Sequence, residues 1–427
     1  MGEYNSTERK LAIFLDRFPS AKKMAKKAYQ RINYARYRQK GFTFEINDLV
    51  ELEEARTNFK VSESTKEYFF GYYDKTPWSP DMKSAIYQEK LDNGLLEIVL
   101  YDINNGKFSI GKTKTWNHQQ GSMAQFLPNS KGNIVIFNSI KDDKLVANIT
   151  NLDEKTDEIY PYPVQTVHPD GKEYLSINYK RLQLIKPEYG YEPECENFEP
   201  NGKEDEDGIW RFDLNSKSVE TIINIKQLKD LKPRTEMKNC LHKINHVIYS
   251  PDGMHFVFMH RWSGSNGRYS RLLVSDNLGE RIDILLDENM ISHYHWINNE
   301  EIITWARTRK FGDKYYRINI LTKDISVIGE GQLDKFGDGH PTISPNGDWV
   351  LTDSYPDKAR QRHLLMYNLK NGELYKIGRF FSPWNFDGEI RCDLHPRWSP
   401  DGKKISIDST HEGIRKSYIL DVSSIVI

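Results

Sequence analysis

Beyond about residue 65, polar and apolar positions alternate in short runs, as in KKISID (403–408), and such runs follow turns rich in Pro, Asp, Asn and Gly. A period of two marks a half-buried strand, not a helix. Aligned on their turns, seven segments share one plan: KTPWSPDMKSAIYQ, MAQFLPNSKGNIVIFN, VQTVHPDGKEYLSIN, HVIYSPDGMHFVFM, HYHWINNEEIITWA, HPTISPNGDWVLTD and HPRWSPDGKKISID. Their anchors are Pro80, Pro128, Pro169, Pro251, Asn298, Pro345 and Pro400, at steps of 48, 41, 82, 47, 47 and 55 residues. The long step contains a polar insertion at 183–208. Seven units of roughly 45 residues predict an all-β fold, a seven-bladed β-propeller over 65–427. Each proline sets φ for its turn, and the Asp-Gly or Asn-Gly pair supplies the left-handed step. The run before each turn is expected as the inner strand, and the run after it as the next strand. Helical patterns are absent between the units, which excludes a helical solenoid.

Residues 1–50 read differently. STERKLAIFLDRF and PSAKKMAKKAYQRINYARYRQKG have helical patterns, with Ser6 and Ser20 as N-caps and Gly41 as a stop. Residues 1–40 carry eleven Lys/Arg against three Asp/Glu. This predicts a short, basic helical extension, either packed on the propeller rim or free to touch a protein partner or the surface of an anionic membrane.

One register position stands out. Five residues before the last four anchors lie His246, His293, His340 and His395, in a protein with twelve histidines; the first three units have Lys75, Met123 and Val164 there. A repeat position comes from neighbouring blades at one height, so these side chains are expected to converge at the channel mouth. Convergent imidazoles suit a divalent transition metal, with Mn or Zn expected. One of the four can be a base instead of a ligand, since a catalytic metal keeps an open position. The alternative is that each histidine merely caps a strand. Asp338 and Asp393 are placed to orient the rings, or are turn residues.

Other polar groups are candidates. Asn117, His118, Gln119 and Gln120 run together before the second unit, and His118 can accept a proton near neutral pH or sit in a solvated loop. In the third unit Asn178, Tyr179 and Arg181 are expected to end a strand, with Tyr189 and Tyr191 following in the insertion. Arg holds carboxylates in two-pronged pairs, and Tyr stacks on sugars or moves protons. Arg261 and Trp262 follow in the fourth unit.

Composition narrows the field. Sixty basic and sixty-one acidic side chains balance, so nothing points to nucleic acid. Three dispersed cysteines imply no disulfide framework. No secretory leader and no apolar span is visible, so a cytoplasmic location is expected, at the membrane periphery if the basic extension binds lipid. P-loop, GxGxxG, GxSxG and HExxH motifs are absent, and the hydrolase domain of a prolyl oligopeptidase is missing.

The SPDG repeats resemble TolB-like propellers. WNHQQG, LSINYKRL with PEYGY, INHVIYSPDG, GDGHPTISPNGDWVLTDSYPD and DLHPRWSPDGKKISIDSTHEG together are similar to oligogalacturonate lyase-like and ulvan lyase-like propellers, over about residues 65–425. The resemblance implies β-elimination on a uronate-containing oligosaccharide at a metal held largely by histidines. It implies metal ligation by His293, His340 and His395, with His246 as ligand or base, and a catalytic role for His118. It matches Tyr and Arg residues of the third unit to substrate-side positions. Together with the polar clusters, this makes Tyr179, Arg181 and Tyr189 catalytic candidates beside His118 and His246, and Asn117, Gln119, Gln120, Tyr191 and Arg261 substrate-binding candidates. Asn138 stands where an ulvan lyase would have another histidine. A noncatalytic binding or scaffold propeller for surface-polysaccharide assembly, tethered through its N-terminal helices, is the alternative. A hydrolase or transferase using the same site is a third.

Overall fold

The computed structural model describes residues 19–62, 67–191, 203–264 and 267–426. Seven antiparallel sheets are arranged as the blades of a propeller, five of them built wholly from consecutive strands. Blade 1 runs Tyr68–Phe69, Ser84–Lys90, Leu96–Asp102 and Gly106–Thr113, and blade 7 contributes Arg397–Trp398, Lys404–Ser409 and Lys416–Asp421. The expected strand assignment holds: Arg397–Trp398 before the turn is innermost, and Lys404–Ser409 after it is second.

The turns explain the repeat. In blades 1, 4, 6 and 7 a serine precedes the proline: Ser79, Ser250, Ser344 and Ser399. Ser399 Oγ donates to Asp401 Oδ1 at 2.6 Å and accepts from Lys404 N at 2.9 Å, while Asp401 also accepts from Lys403 N at 3.1 Å. Ser250 does the same with Asp252, His255 N and Met254 N. These short side chains satisfy backbone donors that the reversal would otherwise orphan.

The N-terminal region departs from the expected helical extension. A helix, α1 (Pro19–Tyr37), is present, while the first expected helix lies outside the described residues. From residue 44 the chain joins the propeller. Phe44–Ile46 adds a fifth strand to blade 6, and Glu51–Glu54 pairs with Lys416–Asp421 as the outer strand of blade 7. The first and last parts of the fold thereby share a sheet. Arg56, just after this strand, is buried, donates to Glu89 at 3.1 Å and Tyr101 at 3.0 Å, and lies over the Tyr68 ring at 4.1 Å.

The insertion leaves blade 3 between its second and third strands, Glu173–Ile177 and Gly208–Asp213. Its start corrects the sequence expectation. Asn178 does not end a strand; it caps a helix over Tyr179–Ile185, accepting from Arg181 N at 3.0 Å.

Candidate functional site

The stretches that enter the innermost strands build the centre. Blade 1's inner edge is interrupted between Phe69 and the isolated bridge at Trp78, and the break carries Gly71, Tyr72, Tyr73 and Asp74 inward. In blades 4 and 5 the register shifts between Asn245 and Ile248 and between Ile291 and Tyr294, around His246 and His293. Such bulges re-aim side chains. His246 and His395 take left-handed φ values of 56° and 44°, as does Met123 at the same repeat position.

The four registered histidines come together. Ring centroids are 4.1 Å apart for His293–His340 and 4.4 Å for His340–His395, and Tyr73 lies within 6.2 Å of all four rings. They are not at an open mouth, however: each is at most 5% exposed. Tyr72 packs edge-on against His246 at 5.0 Å and His395 at 5.1 Å. At the opposite, turn end of the inner strands lies a cavity of about 320 Å³ lined by Asp74, Lys75, Thr166, Tyr249 and His295.

Each ring is oriented by its Nδ1. His293 Nδ1–H donates to Asp338 at 3.1 Å, His340 Nδ1–H to Asp353 at 2.8 Å, and His395 Nδ1–H to the Gly71 carbonyl at 3.0 Å. That assigns the lone pair to Nε2, the arrangement of an imidazole prepared to ligate. His340 Nε2 and His395 Nε2 are buried without a protein partner. Donor atoms of His340, His395 and Asp393 lie within 4.8 Å of one another. Two imidazoles and a carboxylate fit a divalent transition ion. Asp393, expected to orient a ring or to be a turn residue, thus stands among the donors. Asp338 orients His293 rather than its sequence neighbour His340. His246 Nε2 faces Asp74 Oδ2 at 3.4 Å instead.

Electrostatics favour the uncharged rings of His293 and His395 and the carboxylate form of Asp393. Burial lowers His293 to about 4, helped by His340 and opposed by Asp338. Burial, then His340, also holds His395 well below the usual histidine range. Burial alone would raise Asp393, but Arg391 and Arg362, each 2.8 Å away, hold it well below the carboxylate range. Tyr355 is 37% exposed as a residue; loss of solvation at its hydroxyl, then Asp393 and Asp338, pushes that group well above its ordinary value. Tyr355 stands 6.0 Å from His340 and 6.5 Å from His293, ring to ring.

A repeated device sets the entry of the inner strands. Gln88, Asn138, Asp353 and Asp408 occupy one register position on the second strands of blades 1, 2, 6 and 7. Each reaches into the next blade. Asp353 accepts from Leu394 N at 3.0 Å and His395 N at 3.2 Å as well as from His340, and Asp408 accepts from Phe70 N and Gly71 N, both at 3.2 Å. Gln88 accepts from Ser122 N at 2.7 Å, and Asn138 both accepts from Val164 N at 2.6 Å and donates to its carbonyl. Gly339 sits so near that a β-carbon there would lie 1.9 Å from the Asp353 carbonyl oxygen. Asn138 is therefore a strand clamp.

The other sequence candidates divide. Tyr189 is at the centre: it meets Tyr72 at 5.9 Å, and Arg391 Nη2 donates to its hydroxyl at 3.2 Å. Tyr179 and Tyr191 stack at 4.4 Å in the core, Tyr179 donating to Gln165 Oε1 at 2.8 Å and Asn138 donating to the Tyr191 hydroxyl at 2.8 Å. Arg181 is buried on Asp207 at 2.5 Å and the His242 carbonyl at 3.1 Å. Its guanidinium is committed to the fold. His118 packs on Trp116 at 4.8 Å, and burial, then Arg415, lowers it to about 4. No ring contact joins it to the central histidines among the described residues. Asn117 Oδ1 accepts from Gln119 N and Gln120 N, and Gln119 Nε2 donates to the Arg391 carbonyl, so this run shapes a loop. Arg261 Nη2 donates to the Ile291 carbonyl at 3.0 Å and its Nε to Met259 Sδ at 3.2 Å, and the side chain stays partly exposed. The sequence reading did not single out Tyr72, Tyr73, Asp74, Asp353, Tyr355 or Arg391. Asp353 had a signal, the polar residue closing several of the aligned segments.

Fold and centre together define a class: a seven-bladed propeller whose inner-strand entries enclose a histidine-rich, metal-competent cluster. No protein-family profile and no curated protein matches the chain. Solved structures do. An oligogalacturonate lyase in complex with manganese superimposes with a TM-score of 0.62 at 14% identity, over 83% of this chain and 90% of its own. A second oligogalacturonate lyase, from Vibrio parahaemolyticus, gives 0.60 at 12% identity, over 89% and 97%. At these identities the likeness is one of fold.

Proposed function

We propose that this chain is a metal-dependent lyase that cleaves a uronate-containing oligosaccharide by β-elimination. The observation that carries the reading is the convergence of His340, His395 and Asp393 around two partnerless imidazole nitrogens. These residues would hold one divalent ion, Mn or Zn; the manganese in the structurally similar lyase makes Mn the first to try. Bound there, the ion would supply positive charge against the uronate carboxylate, which makes the C5 proton easier to remove. The chain's own residues do the rest. Asp338 holds His293 Nδ1–H, leaving Nε2 to take the C5 proton. The Tyr355 hydroxyl, kept protonated, gives a proton to the leaving glycosidic oxygen. Tyr72 and Tyr189 exclude water from the cluster.

The test is elemental analysis of protein purified without added metal or a histidine tag, beside a His340→Ala/His395→Ala variant. About one transition ion per chain, lost in the variant while the fold persists, is expected. Incubation with uronate oligosaccharides should then yield an unsaturated product absorbing in the ultraviolet, which a hydrolase or transferase would not form. Absence of metal in both proteins, even after exposure to Mn or Zn, would overturn the reading.

The noncatalytic alternative has one observation in its favour: α1 exposes Met24 and Ile32, 74% and 69% accessible, amid lysines and arginines. Under that reading, removing residues 1–40 abolishes attachment to a membrane or partner, and changes at the histidines do little. No helix among the described residues is long and apolar enough to cross a membrane.

A further inference from the structure

Blade 4 holds a second polar anomaly. Lys243 on its innermost strand and Arg261 on the next lie directly opposite each other in the antiparallel register. Like charges in that position repel. Lys243 is 6% exposed, and no hydrogen bond or ion pair reaches its ammonium among the described residues. Its charged neighbours are Arg261, Lys186 and Arg268, opposed by Glu188. Glu188 is itself shared, 4.0 Å from Lys186 Nζ and 3.6 Å from Arg391 Nη1. Burial and the neighbouring cations, Arg261 first, lower Lys243 to about 6 and Lys186 to about 7. The Lys243 ammonium keeps only a narrow contact with solvent, and a cation so poorly solvated beside other cations would be relieved by an anion.

The position of this basic nest says what would bring the anion. Lys186 Nζ lies 4.5 Å from the Tyr189 ring centroid, Tyr189 packs on Tyr72 at 5.9 Å, and Tyr72 touches His246 and His395. Two aromatic rings separate the nest from the histidines. One carboxylate does not serve both places, whereas neighbouring units of an extended acidic ligand do.

We propose that Lys243, Lys186 and Arg261 form a second anion subsite, which takes the carboxylate or sulfate ester of the sugar adjoining the one at the histidine cluster. The identity of the ligand rests on the proposed function; the binding of an anion does not. Glu188 tunes the nest by leaving part of its positive charge uncancelled.

The first measurement is the melting temperature of the full chain against inorganic sulfate, for the wild type, Lys243→Met and Arg261→Gln. Sulfate should raise the wild-type Tm, and both variants should lose most of that response. Arg261→Gln keeps the question answerable if Lys243→Met fails to fold. Calorimetry with galacturonate, digalacturonate and a sulfated disaccharide follows. Lys243→Met should weaken the diacidic ligands by about ten- to a hundredfold, the worth of one charge-assisted hydrogen bond, and leave galacturonate unchanged. The tighter of the two disaccharides distinguishes carboxylate from sulfate. An equal sulfate response in all three proteins means an adventitious ion only and overturns the subsite, as does no response in the wild type. A sulfate response without lyase activity sinks the proposed reaction and leaves the subsite standing. An active lyase whose variants bind digalacturonate like the wild type does the reverse.

Discussion

The free imidazole lone pairs of the centre sit on two nitrogens, His340 Nε2 and His395 Nε2, because every other arrangement of those rings would break a hydrogen bond at Nδ1. The acceptors differ: a carboxylate for His340, a backbone carbonyl for His395. A carboxylate partner raises the basicity of its ring more than a carbonyl does. Tyr355 stands beside His340 and His293, with its hydroxyl in the field of Asp393 and Asp338. As a proton donor it should be worth about 10²–10⁴ in kcat. Tyr355→Phe is thus expected to lower kcat by that factor while metal content, read by elemental analysis, stays unchanged. Equal losses of metal and activity would make Tyr355 part of the scaffold instead.

At the scale of elements, the position shared by Gln88, Asn138, Asp353 and Asp408 couples blades 1, 2, 6 and 7 each to the next. Asp353 is the most heavily engaged, accepting from three backbone amides and one imidazole while fully buried. Asp353→Ala leaves those donors unmet and should cost roughly 3–5 kcal/mol in denaturant unfolding, with loss of metal. Blade 4 holds a different chain: Arg271 Nε–H donates to His260 Nδ1 at 3.2 Å, His260 Nε2–H to His242 Nδ1 at 2.9 Å, and His242 Nε2–H to the Met237 carbonyl at 3.3 Å. Both rings must be neutral for this order of donors. Burial lowers His242 to about 4 and His260 well below its ordinary value. The unfolded chain takes up these protons near pH 6.5, where the native state refuses them, so stability falls as pH drops from about 6.5 to about 4. His242→Gln can still accept from His260 and donate to Met237. It should flatten the slope of unfolding free energy against pH by about one proton in that window. An unchanged slope would show that His242 does not contribute.

The whole ring depends on a strand from the start of the described chain. Glu51–Glu54 covers the edge of Lys416–Asp421, and Arg56 anchors it in the core with Glu89. An uncovered edge strand is a template for association, and removing one partner of a buried ion pair costs roughly 3–5 kcal/mol. Deletion through Arg56 should therefore give aggregation or a broad, early melt by circular dichroism. Deletion through Lys40 removes α1, whose ring contacts with the propeller include Tyr34 with Phe381 at 6.1 Å and Trp384 at 5.6 Å, and should lower Tm by only a few degrees. Equal damage from both deletions would mean that α1 is integral to the fold.

The sequence alone determined the number of blades, the two inner strands of each and the common height of four histidines. All three follow from local rules: a period of two, turns built by Pro, Asp and Gly, and a repeat that places equivalent residues equivalently. It also held the clamp position, visible as Gln88, Asn138, Asp353 and Asp408 once the segments are aligned, though its reach into the next blade is a contact between elements far apart in the chain. Only the tertiary structure decided the rest. Whether a polar side chain faces the centre or the core depends on what packs beside it. Arg181 is thus drawn to Asp207, twenty-six residues away, and Tyr179 to Gln165 and Tyr191, although their sequence context resembles a substrate wall. Tyr72, Tyr73 and Asp74 come from a break in blade 1 and meet His246 and His395, which lie over 170 residues further on. Such a meeting is set by closure of the ring, which turns the strand entries of distant blades toward one axis, and no local pattern of residues encodes it.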